Sequence, residues 1–81
     1  MMRFNVTNDK GSFDYVTGSL GPTNRDERQR ELAGACLKAG PGVYDASCGE
    51  EHHKLQVRPS GEVFDLGRQR VIPLATRAVA Q

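Results

Sequence analysis

Four residues of this chain have side chains that could bind a soft metal or carry out covalent catalysis: Cys36, Cys48, His52 and His53. Two cysteines and two histidines are the ligand inventory of a structural zinc site. Such a site usually takes each pair of thiolates from one tight loop, whereas these two cysteines are well separated and the first falls inside a predicted helix. We therefore predict no metal, and we expect Cys36 to be a packing residue and both cysteines to be free thiols.

A catalytic reading would pair Cys48 with one of the histidines, because a histidine can lower the pKa of a thiol and accept its proton. No third residue that would orient such a pair is signalled, so we predict no enzymatic activity. We interpret residues 49–53 as a solvated polar loop, with pH sensing by its histidines beside Glu50 and Glu51 as the alternative. No cofactor is predicted either, because neither glycine-rich stretch carries the residues of a phosphate-binding loop.

The charged residues are balanced in number but not in position. The chain has 11 Lys and Arg against 10 Asp and Glu, for a formal net charge of +1, which argues against a DNA mimic and against a bulk nucleic-acid coat. Residues 41–53 contain acidic residues and no Lys or Arg, whereas basic residues are in excess over residues 54–81. Because Arg and Lys bind carboxylates and phosphates, we predict partner contacts at Arg28, Lys38, Lys54, Arg58, Arg68 and Arg70.

The length of 81 residues suits one hydrophobic core rather than two. No stretch approaches the roughly 20 apolar residues of a membrane span, and the first residues lack the apolar run of a signal peptide. We therefore expect a cytoplasmic protein, not bound to a membrane and monomeric or homodimeric. We predict one domain over residues 1–73 and a mobile tail over residues 74–81.

The first secondary-structure elements form a predicted hairpin over residues 3–17. Apolar and polar residues alternate on both sides of the turn sequence Asn8-Asp9-Lys10-Gly11. With those four residues as the loop and Gly11 at positive φ, Val6 pairs with Phe13 and Phe4 pairs with Tyr15, so all four large side chains share one face.

One amphipathic helix is predicted from Arg25 to Ala39. Asn24 with Glu27, or Thr23 with Asp26, has the spacing of a capping box, and Gly40 with Pro41 ends the helix. A helical wheel places Leu32, Ala33, Cys36 and Leu37 on the buried side, with Gln29 at its margin and Arg28 pointing away.

The remaining pattern predicts a strand over residues 43–48, a hairpin over residues 54–66 and a short strand over residues 71–72. The turn of that hairpin is Arg58-Pro59-Ser60-Gly61, and Val63 and Phe64 compete for the inward-facing position. The predicted fold is therefore a small α+β domain of ββαβββ order, in which one helix packs on an antiparallel sheet of about five strands.

In its size, its Met1-Met2 start and its one-helix-on-sheet layout without a catalytic constellation, the chain resembles the small inhibitor proteins of phages and mobile elements, including the anti-CRISPR proteins. This resemblance implies a protein that occupies a surface of a host protein or ribonucleoprotein complex where nucleic acid would otherwise bind. The leading hypothesis is thus a non-enzymatic protein-binding inhibitor. The rival is a small nucleic-acid-binding regulator that uses the basic C-terminal region.

Overall fold

The computed structural model describes residues 2–18 and 21–74 of the chain. These residues form one helix and six strands. The strands are β1 (Met2–Asn8), β2 (Gly11–Thr17), β3 (Gly42–Cys48), β4 (Glu51–Val57), β5 (Val63–Asp65) and β6 (Arg70–Val71), and the helix is α1 (Arg25–Ala39). The α+β class is confirmed, with six strands rather than about five.

The strands form a single sheet in the order β2-β1-β3-β4-β5-β6, and every neighbouring pair is antiparallel. β2 and β3 both run antiparallel to β1 and hence parallel to each other. They lie on either side of β1, so the connection between them must cross β1, and α1 is that connection. The helix packs on one face of the sheet and touches both β2 and β4.

The β1–β2 hairpin has the predicted register. Val6 lies opposite Phe13, Phe4 lies opposite Tyr15, and Gly11 has a φ of 148° at the end of the turn. Phe4 and Val6 are fully buried, whereas Phe13 and Tyr15 are partly buried and pack against the edge of the core. The alternation of the sequence therefore fixed both the register and the buried face.

The helix begins and ends where the sequence predicts. The Asn24 side chain accepts a hydrogen bond from the Glu27 N–H, and the Glu27 carboxylate accepts one from the Asn24 N–H, which makes a complete capping box. Two predictions about its faces are wrong. Gln29 is buried rather than marginal, and Leu37 is 36% exposed, because the buried positions follow the spacing i, i+3, i+4 and i+7 from Gln29.

The predicted loop over residues 49–53 is also wrong. Strand β4 begins at Glu51, and the Cys48–Glu51 pair closes a two-residue turn in which Gly49 has a φ of 57°. The polar sequence concealed the strand because His52 faces solvent while His53 faces the helix. A strand with polar or charged residues on both faces of the sheet is stable at this position because Glu51 and His53, which face inward, have hydrogen-bond partners on α1.

The second hairpin keeps its predicted turn, closed by a hydrogen bond from the Gly61 N–H to the Arg58 carbonyl oxygen at 2.9 Å. Val63 takes the inward position and is fully buried, which places Phe64 on the opposite face. The last strand covers residues 70–71 instead of 71–72. Leu74 is partly buried and packs against the core, and the remainder of the predicted tail lies outside the described residues.

The core lies between α1 and one face of the sheet, which we call the inner face. It is built around Phe4, Leu32, Tyr44, Leu55 and Val63. The other face, the open face, is covered by no helix or strand among residues 2–18 and 21–74. Within the same residues no helix is long and apolar enough to cross a membrane.

Candidate functional site

The most extended polar arrangement lies between the first half of α1 and strands β4 and β5. It consists of three buried polar residues and the charged residues that satisfy them, and we call it the polar clip. Its members are Arg28, Gln29, Glu51, His53, Asp65 and Arg68. Buried polar groups are costly unless they are paired, so the partners of each member decide what the clip can do.

One limb of the clip joins the helix to β4 through Glu51. Arg28 donates two hydrogen bonds to the Glu51 carboxylate, from Nε at 2.9 Å and from a terminal nitrogen at 2.6 Å, and a third to the Thr23 carbonyl oxygen at 2.9 Å. The Glu51 oxygen that accepts from Arg28 Nε also lies 2.9 Å from His53 Nε2. These contacts, led by those from Arg28, lower the pKa of Glu51 to about 2.

The other limb joins the helix to the end of β5. Gln29 donates from Nε2 to Asp65 at 2.8 Å and accepts through Oε1 from Arg68 at 2.9 Å. Arg68 Nε also donates to Asp65 at 2.9 Å, and the backbone N–H groups of Gly67 and Arg68 donate to the other carboxylate oxygen. Burial raises the pKa of Asp65, but the hydrogen bonds from Gln29 and Arg68 outweigh it, so the net shift is downward.

The two limbs meet at His53 and fix its tautomer. Asp65 only accepts and Arg68 only donates, so the Gln29 amide cannot flip without losing both partners. Its Nε2 therefore donates to His53 Nδ1 at 3.4 Å, which leaves His53 Nε2–H to donate to Glu51. The His53 side chain is fully buried, and burial lowers its pKa although Glu51 opposes the shift. The ring is thus held neutral, with both nitrogens occupied.

The clip accounts for two of the predicted partner-binding residues. The Arg28 side chain is 17% exposed and is held by Glu51, and Arg68 bonds to Asp65, Gln29 and Asp26. Both side chains attach α1 to the sheet. Arg28, which the helical wheel placed on the outer side, reaches back to β4 because Glu51 lies at the start of that strand.

The other predicted contact residues lie on three separate surfaces. Lys54 and Arg58 follow the open face of β4, where Arg58 stands 4.8 Å from the centroid of the Phe64 ring and 3.3 Å from Glu62. Lys38 is exposed in the last turn of α1, and Arg70 is exposed on β6 beside Asp26 at 3.8 Å. The structure does not gather the six predicted residues into one patch.

The cysteine and histidine candidates are also kept apart. Cys36 is buried in the core as predicted, and burial raises the pKa of its thiol to about 12. His52 lies on the open face with Nε2 at 3.1 Å from Asp45, on the opposite side of the sheet from Cys48 and His53. Among residues 2–18 and 21–74, no three Cys, His, Asp or Glu residues are grouped to hold a metal ion.

The open face has one region that sequence reasoning missed. Paired residues on adjacent strands place four side chains in one row, since Val43 lies opposite Gln56, Gln56 opposite Phe64, and Phe64 opposite Val71. Val43 is 42% exposed and Val71 is 46% exposed. We call this row, together with Arg58 above Phe64, the open-face patch. The sequence pointed to this patch only indirectly, because either Val63 or Phe64 could face the core. Val63 is the buried one, so Phe64 lies on the open face.

No family model, no curated protein and no solved structure matches this chain.

Proposed function

We propose that this protein is a non-enzymatic protein-binding regulator that contacts its partner through the open-face patch. The observation that carries the proposal is the row of Val43, Phe64 and Val71 across β3, β5 and β6, with Gln56 between them. Single exposed apolar residues are common on protein surfaces. Several apolar side chains aligned across one sheet face are a better candidate for a protein contact.

The residues around the row define the chemistry of the partner. Arg58 lies over the Phe64 ring and is paired with Glu62, so its guanidinium is held in place while 43% of its side chain stays exposed. Lys54 is exposed four positions before Arg58, on the same face of the sheet. A partner surface with apolar side chains at its centre and a carboxylate at its rim complements this arrangement, and Arg and aromatic residues are enriched in such contacts.

The same geometry favours protein over nucleic acid as the partner. Recognition of single-stranded nucleic acid on a sheet needs aromatic rings whose faces are free for base stacking. The Phe64 ring is occupied by Arg58 at 4.8 Å. The basic residues of the open face are interspersed with Asp14, Asp45 and Glu62 rather than collected into a stripe.

The resemblance to phage and mobile-element inhibitors extends the proposal to a target class. The partner is then a protein surface of a host nucleic-acid-binding complex, and inhibition follows from occupying that surface. Arg28 and Arg68 are left out of the proposed contact because they belong to the polar clip. Charge reversal at Arg68 therefore tests the fold and not the partner contact.

The test uses a partner captured from host lysate and then purified. Its dissociation constant is measured against the wild-type chain and against the Val43→Glu/Val71→Glu double variant. Ser47→Glu is the matched control, because Ser47 is also exposed on the open face of β3, four positions from Val43. We expect the double variant to bind at least about tenfold more weakly, since each glutamate would bury an unpaired carboxylate against apolar side chains of the partner, and the control to bind like the wild type.

Two results would contradict the proposal. The first is equal binding by the double variant and the control. The second is tight binding of duplex or single-stranded nucleic acid with a steep dependence on salt, which would indicate contacts to phosphates and favour the nucleic-acid-binding alternative.

A further inference from the structure

The two edges of the sheet are built differently. At one edge, β6 has two residues and is followed closely by Pro73, which has no N–H to donate. At the other edge, β2 has seven residues, and within the described part of the chain it has a strand neighbour on one side only. Proteins normally protect an exposed edge with short strands, proline or lysine. β2 contains no proline, lysine or arginine, and Asp14 is its one charged residue.

We propose that β2 pairs antiparallel with β2 of a second copy of this chain, about a twofold axis at Tyr15, and so continues the sheet from one copy into the other. This inference does not depend on the proposed function. The pairing would give the outer backbone groups of β2 the hydrogen-bond partners that they lack among residues 2–18 and 21–74. It would also place the partly buried Phe13 and Tyr15 beside the same strand of the other copy.

The register follows from the side chains on the two faces. A twofold axis at Tyr15 places Asp14 opposite Val16 of the second copy and Phe13 opposite Thr17, so no like charges face each other. An axis at Asp14 would place two carboxylates directly opposite, which destabilises an antiparallel pair. Asp14 already accepts a hydrogen bond from Asn5 at 3.3 Å, which leaves it compatible with an apolar neighbour.

The helix supports an axis at Tyr15 through its own charge pattern. Tyr15 lines a groove beside α1 together with Arg30, Glu31, Gly34, Ala35 and Lys38. The twofold axis would bring the grooves of the two copies side by side with their helices antiparallel. Glu31 of each copy, whose carboxylate already accepts from the Gly18 N–H at 3.2 and 3.3 Å, then lies toward Lys38 of the other, so opposite charges approach across the axis.

The proposal is tested by sedimentation velocity over a range of micromolar concentrations. The wild type is expected to form a dimer. Val16→Glu places a carboxylate opposite Asp14 of the second copy twice per dimer, and we expect the dimer dissociation constant to rise about tenfold. Val16→Lys places an ammonium opposite the same carboxylate, and we expect the dimer to be retained or strengthened. Val43→Glu is the matched control, because it makes the same change on the same face but in a central strand.

Hydrogen exchange of the wild-type chain gives a readout that needs no variant. Protection of the β2 amides should rise with protein concentration, while that of β6 should not. A wild type that stays monomeric at all concentrations would overturn the proposal. So would a dimer that Val43→Glu dissociates and Val16→Glu does not, because its interface would then be the open face.

Discussion

His52 and His53 are neighbours in β4, and they show how different the two faces of the sheet are. The ring of His53 is fully buried, with one nitrogen 3.4 Å from Gln29 and the other 2.9 Å from Glu51. The ring of His52 is more than half exposed and lies 3.1 Å from Asp45. The inner face therefore uses its polar residues to hold the helix, whereas the open face leaves its side chains available to a partner.

The two faces differ in their apolar residues in the same way. On β5, Val63 is fully buried in the core, while Phe64 faces the other way and lies in a row with exposed valines. Charge alone thus does not identify a binding surface in this protein. The basic residues of the inner face are occupied by internal partners, and the apolar residues of the open face are free to make contacts.

The largest expected effect comes from a carboxylate of the inner face. Asp65 accepts hydrogen bonds from Gln29, Arg68 and two backbone N–H groups. We expect Asp65→Ala to lower the free energy of unfolding by about 3 kcal/mol, because it leaves buried donors without an acceptor. Urea denaturation measures the change. Asp14→Ala removes an exposed carboxylate of the open face and should cost less than about 0.5 kcal/mol. Equal costs would refute the contrast between the faces.

A smaller effect is expected from the two glutamines that face opposite ways. Gln29→Leu removes the amide that links His53, Asp65 and Arg68, and we expect a loss of about 2 kcal/mol in the same urea measurement. Gln56→Leu on the open face should change the stability by less than about 0.5 kcal/mol. If Gln29→Leu had the same free energy of unfolding as the wild type, the polar contacts of Gln29 would stabilise the fold no more than an apolar side chain of similar volume.

The third expectation concerns how the stability of the protein depends on pH through the buried His53. Burial lowers the pKa of His53 below its usual 6.5, so the unfolded chain binds a proton first. The His53 contribution to stability is therefore complete above pH 6.5 and declines as the pH falls toward the folded pKa. Protonation would also turn Nδ1 into a donor facing the Gln29 amide. Groups around His53 act in both directions, since Glu51 and Asp65 favour the proton while burial and Arg25 oppose it.

Thermal unfolding between pH 7 and pH 5 measures this dependence. His53→Gln should flatten the curve in that range. A second decline is expected in stronger acid, because the pKa of Glu51 is lowered from 4.5 to about 2, and its contribution is lost as the pH falls through that interval. A wild-type curve that stays level down to pH 5 would show that His53 does not titrate as inferred.

Several features of the fold followed from the sequence alone, because they depend on local chemistry. The capping box at Asn24 and the glycine at position 40 set both ends of the helix. The alternation around residues 8–11 set the register of the first hairpin, and the burial of Cys36 followed from its place on the apolar stripe. Each of these signals acts within one element or one turn, so tertiary contacts only had to agree with it.

The tertiary structure decided the features that depend on partners distant in sequence. The polar residues 51–53 form a strand because Glu51 and His53 meet Arg28 and Gln29 of the helix, an encounter that no local pattern signals. Partners on β4, β5 and α1 likewise hold Arg28 and Arg68, although 39% of the Arg68 side chain stays exposed. The open-face patch arose in the same way, since strand pairing brought Val43, Phe64 and Val71 into one row. The sequence by itself determined where the helix begins and ends and which residues of the first hairpin alternate. Packing decided which charges remain free, because each buried polar group must be satisfied by a neighbour that only the fold supplies.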